Sequence, residues 1–73
     1  MPKRYSAKEI LKRLKKLGFV IVSQKGSHIK VRGIREGKLQ TAIVPNHKEM
    51  AVGTFDSILD QANVSKTEFE NYK

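Results

Sequence analysis

Apolar positions along this 73-residue chain change their spacing twice, from helical to strand-like and back, and each regime predicts its elements. Ile10, Leu11, Leu14 and Leu17 recur at helical intervals, with Lys8, Lys12, Arg13, Lys15 and Lys16 filling the other side of the same turns. Ser6-Ala7-Lys8-Glu9 has the form of a capping box, in which the serine hydroxyl and the glutamate carboxylate each satisfy an unpaired backbone N–H. Tyr5 and Ile10 stand at the positions of a hydrophobic staple. Gly18 follows as a left-handed stop, after which Phe19 folds back onto Leu14. The lysines in the last turn suit the helix dipole. A first helix is therefore predicted from Ser6 to Leu17.

The period then drops to two. Phe19-Val20-Ile21-Val22 is a β-branched, apolar run, and Gln24-Lys25-Gly26-Ser27 supplies a turn. His28-Ile29-Lys30-Val31-Arg32 alternates strictly, so His28, Lys30 and Arg32 share one face and Ile29 and Val31 the other. A second turn from Gly33 to Gly37 leads to a third strand, Leu39 to Val44, which Pro45 ends because proline has no N–H for the ladder. Short turns between neighbouring strands imply an antiparallel meander. Pro45 to Gly53 reads as a loop containing Asn46, His47 and Lys48, and Thr54 as the cap of a second helix carrying Phe55, Ile58, Leu59 and Ala62. Ser65-Lys66-Thr67-Glu68 is a second capping box and opens a short last helix with Phe69; Tyr72 is expected to be mobile. The prediction is one α+β domain over residues 1–73. Its order is α-β-β-β-α, a two-layer sandwich with both helices on one face of a three-stranded antiparallel sheet and a short C-terminal helix. Tyr5, Phe19, Phe55 and Phe69 are assigned to the core, not to base stacking.

Composition adds three constraints. A chain of this size builds only a marginal core, and without cysteine it has neither disulfides nor thiolate metal sites to help, so an oligomer or a protein partner is in keeping with its size. No apolar run is long enough to span a membrane, and Met1-Pro2-Lys3-Arg4 leads into a charged helix, not a signal peptide; a cytoplasmic protein is expected. The net charge of +8 is also unevenly spread. Residues 1–48 hold thirteen basic and two acidic side chains, a net of +11, whereas residues 49–73 hold two basic and five acidic, a net of −3. One face is thus suited to a polyanion, and nucleic acid is the polyanion expected.

The candidate chemistry lies at Gly26-Ser27-His28. An imidazole exchanges protons near neutral pH, and Lys25, Lys30 and Arg32 surround this one with charge able to stabilise a phosphate. Ser27 can orient the ring or bind phosphate, and Gly26 lets backbone approach a substrate closely. RNA supplies its own nucleophile, the 2′-hydroxyl, so a base of this kind suffices to start cleavage. The proton donor for the leaving oxygen is not evident. His47 reads as a surface-loop residue and qualifies only if its loop folds back toward the first hairpin turn. No H-x-x-x-H or comparable ligand spacing is present, and Asp56, Asp60 and Glu68 belong to the acidic part, so neither a metal nor another cofactor is expected.

These residues together resemble the HicA toxin family, the small ribonuclease halves of HicA–HicB toxin–antitoxin modules. The resemblance rests on Leu17-Gly18-Phe19, Gln24-Lys25-Gly26-Ser27-His28, Val44-Pro45-Asn46-His47, Gly53-Thr54-Phe55 with Ile58 and Leu59, and Val64-Ser65 leading to Phe69. It implies a fold like that of double-stranded-RNA-binding domains, cleavage of messenger RNA, and neutralisation in a heteromeric complex by a HicB-like antitoxin that also represses the operon. The family's catalytic histidine corresponds to His28. Family members often carry an aromatic residue shortly after it, where this chain has Ile29, Lys30 and Val31. The antitoxin is expected to cover the face bearing His28 and to present acidic groups to it. The alternative reading is a non-catalytic module that binds double-stranded RNA by shape. Such modules place lysines at the start of the last helix, where this chain has Gly53-Thr54-Phe55-Asp56.

Overall fold

The computed structural model describes residues 4–71, so the readings at Met1–Lys3 and at Tyr72 lie outside the described residues. Helix α1 (Ala7–Lys16) begins as its sequence implies. The Glu9 N–H donates to Ser6 Oγ at 3.1 Å and the Ser6 N–H to the Glu9 carboxylate at 3.3 Å, closing the capping box. At the other end Gly18 adopts φ +102°. The Phe19 N–H reaches the Leu14 carbonyl at 2.9 Å and the Gly18 N–H that of Lys15 at 3.0 Å. This is the Schellman arrangement, and it turns Phe19 into the core.

Strands β1 (Val20–Lys25), β2 (His28–Arg35) and β3 (Lys38–Pro45) form one antiparallel sheet in that order. Gly26 takes the first place of the two-residue turn between β1 and β2 at φ +59°, a conformation that glycine reaches without a Cβ penalty. The turn between β2 and β3 is only Glu36-Gly37, both with positive φ. Strand β2 is therefore three residues longer than the sequence reading, which placed Gly33 in the turn. Gly33 is a buried strand residue whose missing side chain makes room for Phe19: a Cβ there would stand 2.8 Å from the ring's Cγ. Strand β1 carries an irregularity between Ile21 and Ser23, consistent with a bulge at Val22.

Helix α2 (Val52–Ala62) starts earlier than the Thr54 cap predicted for it. Ala51 is the cap and offers no side-chain bond. The entry is set by tertiary contacts instead: Met50 is buried and its N–H donates to the Tyr5 carbonyl at 2.7 Å. Asn63 ends the helix in the left-handed region, with the Val64 N–H bonded to the Leu59 carbonyl at 3.0 Å. Helix α3 (Lys66–Asn71) is capped by Ser65, whose Oγ accepts the Glu68 N–H at 3.1 Å.

The α-β-β-β-α order and the two layers are those predicted. Ile29 and Val31 of β2 and Ala42 and Val44 of β3 form the buried face, against Ile10 and Leu14 of α1 and Phe55, Ile58, Leu59 and Ala62 of α2. Tyr5, Phe55 and Phe69 pack with ring centroids 5.1–5.2 Å apart. The Arg13 guanidinium lies 4.7 Å above Tyr5 and 5.1 Å from the Phe69 centroid, so this cation of α1 has a structural task. The Arg35 guanidinium pairs with the Glu68 carboxylate, tying α3 to the end of β2.

The two edges of the sheet differ. Gln61 on α2 accepts the Ile43 N–H at 3.1 Å and so covers part of the β3 edge, whereas all six residues of β1 are exposed. The sheet's second face carries Lys30 and Arg32, and among the described residues no helix lies over it.

Candidate functional site

His28 is the first residue of β2 and is exposed. Its cross-strand partners are Lys25 on β1 and Pro45 on β3. Alternation then sets Lys30 and Arg32 on the same open face, each half-buried, while Ile29 and Val31 point into the core. Lys25, Gly26, Ser27 and His28 are thus brought together at one end of the face, with Lys30 about 7 Å further along β2. Arg32 lies about 13 Å from His28 by the same strand rise. Its Nε donates to Thr41 Oγ1 at 3.2 Å on the neighbouring strand, so Arg32 is directed toward β3 and away from His28. Nothing lies within 4 Å of the point where a Gly26 side chain would begin, so the turn is open to an incoming backbone.

The loop after β3 folds back toward this turn. The Asn46 N–H donates to the Ser27 carbonyl at 2.7 Å, extending the β2–β3 pairing by one step beyond His28 and Pro45. The His47 N–H bonds to the Pro45 carbonyl at 2.9 Å, a three-residue γ-turn centred on Asn46. The His47 carbonyl accepts the Ala7 N–H at 2.9 Å, which fastens the loop to the first turn of α1. A shallow surface cleft of about 360 Å³ results, lined by Ser6, Lys8, Asn46, His47 and Lys48. The start of this loop thus lies beside the first hairpin turn, and His47 itself lines the cleft next to Ser6 and Lys8 of the α1 end. The signal that would have found this is the turn: with only Glu36-Gly37 between the strands, counting outward from Arg35 and Lys38 pairs His28 with Pro45.

Basic side chains occur on both layers, on the open sheet face as Lys30 and Arg32 and on α1. Lys8, Lys12, Lys15 and Lys16 line a groove of about 440 Å³ along α1 together with Leu11. Of the carboxylates, Glu68 pairs with Arg35, Asp56 lies 3.9 Å from Lys66, and Glu9 belongs to the capping box. Among the described residues no three His, Asp or Glu side chains come together as a metal-holding group. No helix among them is long and apolar enough to cross a membrane. Tyr5, Phe19, Phe55 and Phe69 are all buried, as core residues should be.

The open face is not uniformly polar. Val20, Ile34 and Leu39 are 59%, 68% and 62% exposed. Val20 pairs with Arg32 and Ile34 with Leu39, so the apolar group occupies the end of the face away from His28. The site is thus an imidazole and lysines at one end, an arginine in the middle, and an aliphatic patch at the other.

No curated protein matches the chain. A family model described as the HicA toxin of bacterial toxin–antitoxin matches residues 7–64. That span runs from the first residue of α1 past the end of α2 and includes the first hairpin turn, the open face and the loop of His47. With most of its length matched, the chain belongs to the HicA toxin family of bacterial toxin–antitoxin systems.

Proposed function

We propose that this toxin is a metal-independent endoribonuclease that cuts messenger RNA, with His28 as its general base. The observation that carries the reading is an exposed imidazole at the end of a cationic sheet face, directly across the strand pair from Lys25. His28 takes the proton of a ribose 2′-hydroxyl, whose oxygen attacks the adjacent phosphorus. Lys25 and Lys30 stabilise the charge that gathers on the phosphate oxygens. Gly26 admits the RNA backbone, the Ser27 hydroxyl offers it a hydrogen bond, and Arg32 holds a neighbouring stretch of the strand.

Purified wild-type and His28→Ala proteins incubated with RNA in excess EDTA test the reading. Loss of a general base should slow cleavage by about 10²–10⁴-fold, with folding and RNA binding nearly unchanged because the side chain is exposed. Cleavage by the variant at the normal rate would remove His28 from the mechanism. Retarded RNA without fragments, for both proteins, would favour a binding module instead.

A HicB-like antitoxin would silence the toxin by covering the face that bears His28. The exposed aliphatic patch of Val20, Ile34 and Leu39 supports this, since clustered apolar groups beside charges mark protein interfaces. One partner surface with apolar anchors and flanking carboxylates could cover the patch, Arg32 and the imidazole together.

A further inference from the structure

Cleavage by the 2′-hydroxyl also needs a proton for the departing 5′-oxygen, and His28 as base does not supply it. Resting on the nuclease reading above, we infer that His47 is the proton donor, held beside the scissile phosphate by the loop after β3. It is the chain's only other histidine. His28 and Pro45 are cross-strand partners, which places their Cα atoms about 5 Å apart. Two residues add at most about 7 Å, so the His47 Cα lies within about 12 Å of that of His28. The γ-turn at Asn46 shortens this further. A phosphodiester lying over the Ser27–Asn46 bond would have both histidine residues within this span.

The loop is also fixed in place. Asn46 is bonded to Ser27, His47 to Pro45 and Ala7, and Met50 to Tyr5, all through backbone groups. His47 is thus held by its main chain, and it lines the cleft together with Lys8 and Lys48. Those two ammonium groups supply the donor side with charge for phosphate, as Lys25 and Lys30 do for the base side. In the reaction the 2′-oxygen forms a bond to phosphorus as its proton passes to His28. The bond from phosphorus to the 5′-oxygen breaks as that oxygen takes the proton of the His47 imidazolium. The products are a 2′,3′-cyclic phosphate and a 5′-hydroxyl, and water restores both protonation states.

A sulfur leaving group separates this role from others, because a thiolate departs without being protonated. The probe is a short RNA with a mapped cleavage bond, compared with the same RNA carrying sulfur in place of the bridging 5′-oxygen at that bond. His47→Ala should cut ordinary RNA about 10²–10⁴-fold more slowly than wild type and the sulfur-bridged RNA at nearly the wild-type rate. His28→Ala should be slow on both. Wild-type speed of His47→Ala on ordinary RNA overturns the inference, and so does an equal slowing on both linkages, which would mean that His47 only positions substrate or structure. Wild-type protein that cuts neither RNA sinks the nuclease reading itself and the inference with it. Melting curves check folding, and His47→Gln, which keeps a side chain of similar size, serves if the alanine variant melts early.

Discussion

Replacing Gly33 by alanine sets a methyl group against the ring of Phe19 in the middle of the sheet. The added Cβ would stand 2.8 Å from Cγ, 2.9 Å from Cδ2 and 3.1 Å from the Phe19 Cα. Carbon atoms pack best at about 3.5–4.0 Å, so the overlap approaches 1 Å on the ring and is smaller on the backbone. Phe19 is 1% exposed, and its main chain is held by the Schellman bond at the end of α1, so the ring has little room to retreat. Overpacking of this kind costs about 1–3 kcal/mol. Against it, alanine restricts the unfolded chain and recovers about 0.4–1 kcal/mol, because Gly33 is not in the left-handed region that alanine avoids. The net expectation is a loss of about 1–2 kcal/mol. Thermal unfolding followed by circular dichroism should fall by about 4–8 °C per kcal/mol for a domain of this size. A Gly33→Ala protein as stable as wild type, or more so, would refute the reasoning: the ring would then be free to move and the glycine would have no packing reason.

Three further outcomes are expected. Ser6→Ala removes the hydroxyl that accepts the Glu9 N–H and should cost about 1 kcal/mol, read as a lower melting temperature; no change would mean that the cap adds nothing beyond the packing of α1. Ile34→Ser with Leu39→Ser should weaken binding of the cognate antitoxin by about tenfold or more, the effect of losing about 1.4 kcal/mol of apolar contact. Wild-type binding should also weaken as salt rises from about 50 to about 300 mM. Titration calorimetry measures both, and an affinity indifferent to salt and to the two serines would place the antitoxin elsewhere.

Much of the fold is legible because its signals are local. The capping box at Ser6, the serine cap at Ser65, the Gly18 stop and the alternation from His28 to Arg32 each act over a few residues. The candidate site is legible for the same reason: Lys25 to His28 is a hairpin end, and Lys30 follows by the strand period. The errors arose where distant groups decided. Gly33 looks like punctuation in a sequence and is instead the floor beneath a phenylalanine fourteen positions away. Thr54 looks like a cap, yet buried Met50 and its bond to Tyr5 start the helix at Val52.

By itself the sequence determined the elements, the face on which the imidazole and the cations lie, and the concentration of positive charge in the first two-thirds of the chain. Periodicity and capping are properties of neighbouring residues, and they survive being read along a line. The tertiary structure alone decided that the loop of His47 returns to the Ser27 carbonyl, that β1 remains a bare edge while Gln61 covers part of the other, and that Arg13 and Arg35 are taken up by Tyr5 and Glu68. Each of these depends on strand register or on packing between residues far apart in the chain, and a shift of one residue in the register moves every partner to a new position.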